Sequence, residues 1–179
     1  MRVLVLGDTH IPERVDQIPK PIDEFIRSQK FDVVICTGDL TGSEVLDYLK
    51  SLGGKLVVVE GNMDHLSFPE YQTLKIERLN VGAVHGHQVY PRGNREQLNE
   101  IAEELGVDVL LHGHTHKPDV YFGDRLLLNP GSATGAWGGG GGSMIPSFMI
   151  LDFKEYTVNV NLYELKDKLI CTLNKTFEL

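Results

Sequence analysis

Residues 2–10 read Arg-Val-Leu-Val-Leu-Gly-Asp-Thr-His, and this stretch decides the fold. Arg2–Leu6 is an apolar run without alternation, the pattern of a strand buried on both faces. Gly7 breaks the run, and Asp8 and His10 follow at once. The same phrase recurs twice. Val33–Thr37 is closed by Gly38 and followed by Asp39, and Lys55–Glu60 is closed by Gly61 and followed by Asn62. Two helical stretches lie between these runs. Pro19 and Pro21 precede an amphipathic segment through Phe25 and Ile26, with proline near its first turn. Ser43 is suited to N-cap a second helix, in which Val45, Leu46 and Leu49 share a face and Gly53-Gly54 supply the stop. Strand, helix, strand, helix, strand predicts a largely parallel α/β core. Residues just beyond the carboxyl ends of such strands line a crevice, so Asp8, His10, Asp39 and Asn62 are expected on one rim.

The second half changes character. Gln72–Arg78 and Val81–His85 flank Leu79-Asn80 as the arms of a hairpin, and a helix is expected from Asn94 to Leu105, closed by Gly106. Val107–Leu111, Leu126–Leu128, Phe148–Phe153, Thr157–Tyr163 and Leu169–Leu173 read as further strands, mostly antiparallel. In Thr157–Tyr163, Val158, Val160 and Leu162 alternate with Asn159, Asn161 and Tyr163, which marks a half-buried strand. The expected architecture is α/β: a two-sheet β-sandwich flanked by helices, as one domain over residues 1–179. Asn129–Thr134 reads as a tight Pro-Gly turn, and Gly138–Gly142 as a flexible surface loop.

A net charge of -8 repels polyanions, and the lysines and arginines form no cluster along the sequence, so nucleic acid is not expected as a partner. No apolar run approaches the roughly 20 residues of a membrane span. The two cysteines, Cys36 and Cys171, form no CxxC pair, and Cys36 lies in an apolar run. A reduced, cytoplasmic setting is the expectation.

Six of the seven histidines lie in three short motifs: Asp8-Thr9-His10, His85-Gly86-His87 and His112-Gly113-His114-Thr115-His116. An i, i+2 spacing in extended chain sets His114 and His116 on one face. A single histidine after a strand is usually satisfied by backbone hydrogen bonds, and His65 and His112 are expected to be structural or exposed. Joined with Asp8, Asp39 and Asn62, the set has the donors of an intermediate divalent metal. It is too large for the four to six positions of one ion. Two ions sharing a carboxylate would use it, with Asp39 suited to bridge; a single-metal site is the alternative.

Gly7-Asp8-Thr9-His10, Gly38-Asp39, Gly61-Asn62, His85-Gly86-His87 and Gly113-His114-Thr115-His116 together resemble, in order and separation, the calcineurin-like metallophosphoesterase signature. Asn129–Ala136 and Ile145–Phe148 extend the resemblance to the phosphoesterase-fold subunit of the eukaryotic retromer coat, a branch that also contains small stand-alone prokaryotic phosphodiesterases. The resemblance implies one metal held by Asp8, His10, Asp39 and His116 and another by Asp39, Asn62, His85 and His114. Manganese is foremost, with nickel, cobalt, iron or zinc also suited. It implies hydrolysis of small phosphodiesters by a hydroxide bridging two metals, with Asp39 central and His87 and Asp64 as candidate proton donors. Asp64 is the better candidate for orienting a ligand. Many family enzymes carry a histidine where this chain has Met63, which predicts a preference for activated diesters. The rival reading is a retromer-like interaction scaffold, with Val89, Tyr90 and Ile145 as an apolar patch and a protein partner or a second copy of the chain as its occupant.

Overall fold

A computed structural model describes residues 1–179. Five parallel-wound elements open it: β1 (Arg2–Leu6), α1 (Lys20–Arg27), β2 (Val33–Cys36), α2 (Ser43–Ser51) and β3 (Lys55–Val58). There follow β4 (Tyr71–Ile76), β5 (Leu79–Val84), α3 (Arg95–Glu104), β6 (Val109–Leu111), β7 (Asp119–Phe122), β8 (Leu126–Asn129), β9 (Ser147–Lys154), β10 (Thr157–Leu165) and β11 (Leu169–Glu178). The strands form two mixed sheets, ordered β11-β10-β9-β1-β2-β3 and β4-β5-β6-β8-β7. The α/β sandwich with flanking helices is therefore the architecture.

The apolar pattern explains the layers. In β1, Val3 and Val5 face the core between the sheets, while Leu4 and Leu6 face the core beneath α1 and α2. Val33 and Ile35 against Val34 and Cys36 repeat the division in β2. Both faces are dry, which is why these strands are continuous apolar runs. A smaller core, with Leu98 and Ala102 of α3 and Leu110 and Leu127 of the second sheet, closes the other side. β1, β2 and β3 run parallel and in register, Leu6 beside Cys36 beside Val58, so their carboxyl ends finish at one rim.

Several local expectations are corrected. The hairpin turns at Glu77-Arg78, not Leu79-Asn80: Ile76 pairs with Leu79, and Glu77 takes φ +55°. Leu79 is 2% exposed, so burial draws it into the strand and leaves the charged pair for the turn. Gly42, not Ser43, is the N-cap of α2, because the Gly42 N–H donates to the Ile11 carbonyl and a Cβ there would lie 2.9 Å from that oxygen. β8 runs parallel to β6 rather than antiparallel, and β7, which the sequence reading missed, pairs with it. Asp119-Val120-Tyr121-Phe122 shows no clean alternation because β7 is an edge strand, only partly buried. Val89 packs into the α3 core at 5% exposure and forms no patch; Tyr90 is exposed and Ile145 partly buried. No helix is long and apolar enough to cross a membrane.

Candidate metal centre

The loops after β1, β2, β3, β5 and β6 converge at the rim. Two groups of side chains there bring one donor atom each to within 4.8 Å of one another: Asp8, His10, Asp39 and His116, and Asp39, His85 and His114. Asn62 joins the second, its Oδ1 lying 3.2 Å from His85 Nε2. His87 belongs to neither group; it is exposed, with its ring 5.5 Å from that of His85 and 6.2 Å from that of His114. His65 is exposed and bonded to Glu13, while His112 is 2% exposed.

The loops close in because side chains are missing where they meet. A Cβ on Gly7 would lie 2.0 Å from Thr37 Oγ1, and one on Gly61 would lie 2.1 Å from Asp39 Oδ1. The donors are then turned inward by unusual backbone. Asp8, His10, Asp39, His114 and His116 take φ of +50°, +48°, +52°, +68° and +54°. Left-handed backbone costs a non-glycine residue roughly 1–2 kcal/mol, so the surrounding fold must impose it. This overturns the extended-chain reading of His114 and His116. They do not share a strand face; the chain turns between them and delivers one to each group.

Each carboxylate is held by one oxygen and offers the other. Asp39 Oδ1 accepts from the Met63 N–H at 2.8 Å, while Oδ2 lies 3.4 Å from His10 Nε2 and 3.3 Å from His85 Nε2. Asp8 Oδ2 accepts from the His114 N–H at 3.0 Å, while its buried Oδ1 has no hydrogen-bond partner and lies 3.5 Å from His116 Nε2. Two of the imidazoles are treated alike. His85 Nδ1 donates to the Thr37 carbonyl at 2.8 Å, and His116 Nδ1 to the Ala136 carbonyl at 2.7 Å. Those bonds assign the Nε2 lone pairs to the centre. His116 Nε2 is 3.1 Å from His10 Nε2. Acceptors facing acceptors in a dry site require positive charge between them. The donor set of carboxylate, neutral imidazole and amide oxygen fits a divalent metal.

The electrostatics agree. Burial pushes Asp8 up to about 7, against the pull of His85. Burial would also raise Asp39, but the bond and charge of His85, with the Met63 N–H, outweigh it and hold Asp39 at about 2. Burial pulls His85 down, yet Asp39 and Asp8 lift it to about 9, so without a cation His85 carries the positive charge beside Asp39 Oδ2, and a metal must displace that proton to reach the Nε2 lone pair. His10 and His114 are pushed down to about 4, chiefly by burial, and so stay neutral and free to ligate.

Asp64 sits behind the donors. Its Oδ2 accepts from the N–H groups of Asp39 (3.0 Å) and Gly61 (2.8 Å), and its Oδ1 from that of Thr41 (2.8 Å). It ties together the loops carrying Asp39 and Asn62. The Asn129–Thr134 segment does the same for Asp8: Ser132 Oγ donates to the Asp8 carbonyl and Thr134 Oγ1 to the Thr9 carbonyl. The glycine run is more than a surface loop. Gly138 is buried, and a Cβ there would lie 2.7 Å from the ring of His116. Sequence reasoning missed Thr37, Ala136, Ser132 and Thr134 as supports. The first two act through backbone carbonyls, which leave no mark on residue type; the hydroxyls lie in a motif that was visible but read as a turn.

Comparisons with known proteins agree with this geometry. The family model for the calcineurin-like phosphoesterase superfamily domain matches residues 1–156. A probable metallophosphoesterase of Methanocaldococcus jannaschii is 46% identical over 136 residues, 75% of this chain and 69% of that protein. Vacuolar protein sorting 29 from Cryptosporidium parvum superposes with a TM-score of 0.94 at 31% identity, covering 99% of this chain and 98% of its own. Wild-type Vps29 from Entamoeba histolytica, solved as a zinc complex, matches with a TM-score of 0.83 at 36% identity, covering 100% and 98%. With the rim of carboxylates and imidazoles on the same fold, the chain belongs to the calcineurin-like phosphoesterase superfamily.

Proposed function

We propose that this protein is a metal-dependent phosphodiesterase whose centre holds two divalent ions. Asp8, His10, Asp39 and His116 would hold one ion, and Asp39, Asn62, His85 and His114 the other. The observation that carries the reading is the position of Asp39 Oδ2, 3.4 Å from an imidazole of one group and 3.3 Å from an imidazole of the other. The zinc complex of the Entamoeba relative supports it. Bound divalent ions supply Lewis acidity to a phosphoryl oxygen and make water nucleophilic near neutral pH.

The protein's own residues set the rest. Asn62 and His87 are exposed and His114 is half-buried, so substrate approaches on their side. His87 stands beside His85 and His114 and is the candidate to give a proton to the leaving oxygen. Asp64, with both oxygens engaged by backbone N–H groups, orients Asp39 instead. Met63 holds Asp39 through its backbone but brings no proton, which favours diesters with good leaving groups over monoesters. The test is elemental analysis of protein purified without chelator, followed by turnover of an activated aryl phosphodiester with manganese, cobalt, nickel, iron or zinc. Turnover with manganese, faster for diester than for monoester, is expected. Silence with all five metals would sink the reading.

A second reading, an interaction scaffold, is favoured by the end-to-end likeness to vacuolar protein sorting 29. Tyr90, Trp137 and Met144 are the exposed apolar side chains it would use. A partner captured equally well with chelator present, and by Asp39→Asn, would support it.

A further inference from the structure

A cleft of about 570 Å³ opens beside the metal centre, between the start of α3 and the His112–Lys117 loop. The two sites share that loop and the glycine run. Gly138 packs against the His116 ring, and its carbonyl accepts a hydrogen bond from Arg92, which lines the cleft. In a chain of net charge -8, this cleft gathers Arg92, Arg95 and Lys117 against one carboxylate, Asp119. Arg95 pairs with both Asp119 oxygens, at 2.7 and 3.1 Å, so that pair is neutral. Arg92, bonded to the Gly138 carbonyl, and Lys117 remain, neither with an acidic partner.

His112 supplies the second observation. Asn129 Oδ1 accepts from the Gly131 N–H at 2.9 Å, which fixes the amide's orientation and turns its Nδ2 to the Gly113 carbonyl at 2.9 Å, Thr115 Oγ1 at 3.0 Å and His112 Nδ1 at 3.2 Å. Facing a donor nitrogen, Nδ1 carries no proton, and the imidazole proton sits on Nε2. That Nε2–H is buried in the wall of the cleft and has no partner. Buried donors are nearly always satisfied, so an orphan one calls for an acceptor brought from outside. The first turn of α3, a ten-residue helix, adds its positive end at the cleft's edge, with Asn94 capping only Gln97.

We infer that this cleft is an anion subsite that receives a second phosphate of the substrate, placing the preferred substrates among phosphodiesters that carry a further phosphate group. Cationic side chains, an imidazole N–H and a helix start offer donors to the several acceptor oxygens of a phosphate. The substrate assignment rests on reading the neighbouring centre as a phosphodiesterase; the anion site does not.

Two measurements test it. The first compares thymidine 5′-(p-nitrophenyl phosphate) with and without a 3′-phosphate on metal-loaded protein. The phosphorylated ester is expected to have kcat/KM higher by about tenfold, the size of one charge-assisted hydrogen bond, and Lys117→Ala or Arg92→Gln should shrink that ratio. The second follows imidazole nitrogen signals by NMR while inorganic phosphate is added to zinc-loaded protein. His112 Nε2 should shift saturably, and Lys117→Ala should weaken its response while leaving that of His114. A silent His112 overturns the anion site. A responsive His112 with no preference between the esters overturns the substrate class. A responsive His112 in a protein that cleaves neither ester upholds the anion site and rejects the phosphodiesterase reading instead.

Discussion

On one side of Asp39, the residues Asp8, His10 and His116 are no more than 2% exposed; on the other, His85 is as deeply buried, but His114 is half-buried and Asn62 is exposed. On the inner side two of the three donors are anchored by backbone, Asp8 by the His114 N–H and His116 by the Ala136 carbonyl, while His10 Nδ1 has no partner. On the outer side His85 alone has such an anchor. The difference teaches where stability and exchange reside. Inner acceptors such as Asp8 Oδ1 cannot turn to water, so a cation held there would compensate buried charge. His114 and Asn62 can be hydrated when bare, so that half suits entry of substrate and of metal.

Four outcomes would sharpen or break this contrast. The largest belongs to the residue both sides share. Asp39→Asn should cut phosphodiester turnover by a factor on the order of 10³ while leaving the circular dichroism of the fold intact; activity within tenfold of the parent would show that the two groups do not act together. Chelation comes next. Removing metal should lower the melting temperature by about 5–10 °C. His10→Ala should abolish most of that shift and His114→Ala much less, because only the inner charge is sealed from water. Equal effects would erase the distinction. Asp64→Ala strips acceptors from the N–H groups of Asp39, Thr41 and Gly61, and should cost about 1–3 kcal/mol in a denaturation experiment. His65, exposed and bonded only to Glu13 beyond the rim, sets the floor: His65→Ala should change stability by no more than about 0.5 kcal/mol.

Much of the fold was legible because burial on both faces leaves an unbroken apolar run, as in Arg2–Leu6 and Val33–Cys36. Sequence alone misplaces the hairpin's turn because Asn80 is a turn-favouring residue and Glu77-Arg78 carries no such signal; only the pairing of Ile76 with Leu79 selects the true turn. β7 escaped notice because a partly buried edge strand carries little pattern. At the rim, residue types and their position after strands announced a cluster of donors. The supports were hidden wherever the acting group is a carbonyl, as at Thr37 and Ala136.

By itself the sequence determined the layering, since periodicity records which faces are dry, and it determined which donors stand at the strand ends. The tertiary structure alone decided how those donors are shared out. His114 and His116 stand two residues apart yet reach different groups, because left-handed backbone turns the chain between them. That conformation is unfavourable locally and persists only where distant segments, Asp8 and Ala136 among them, hold it by hydrogen bonds. No reading confined to neighbours along the chain contains those partners.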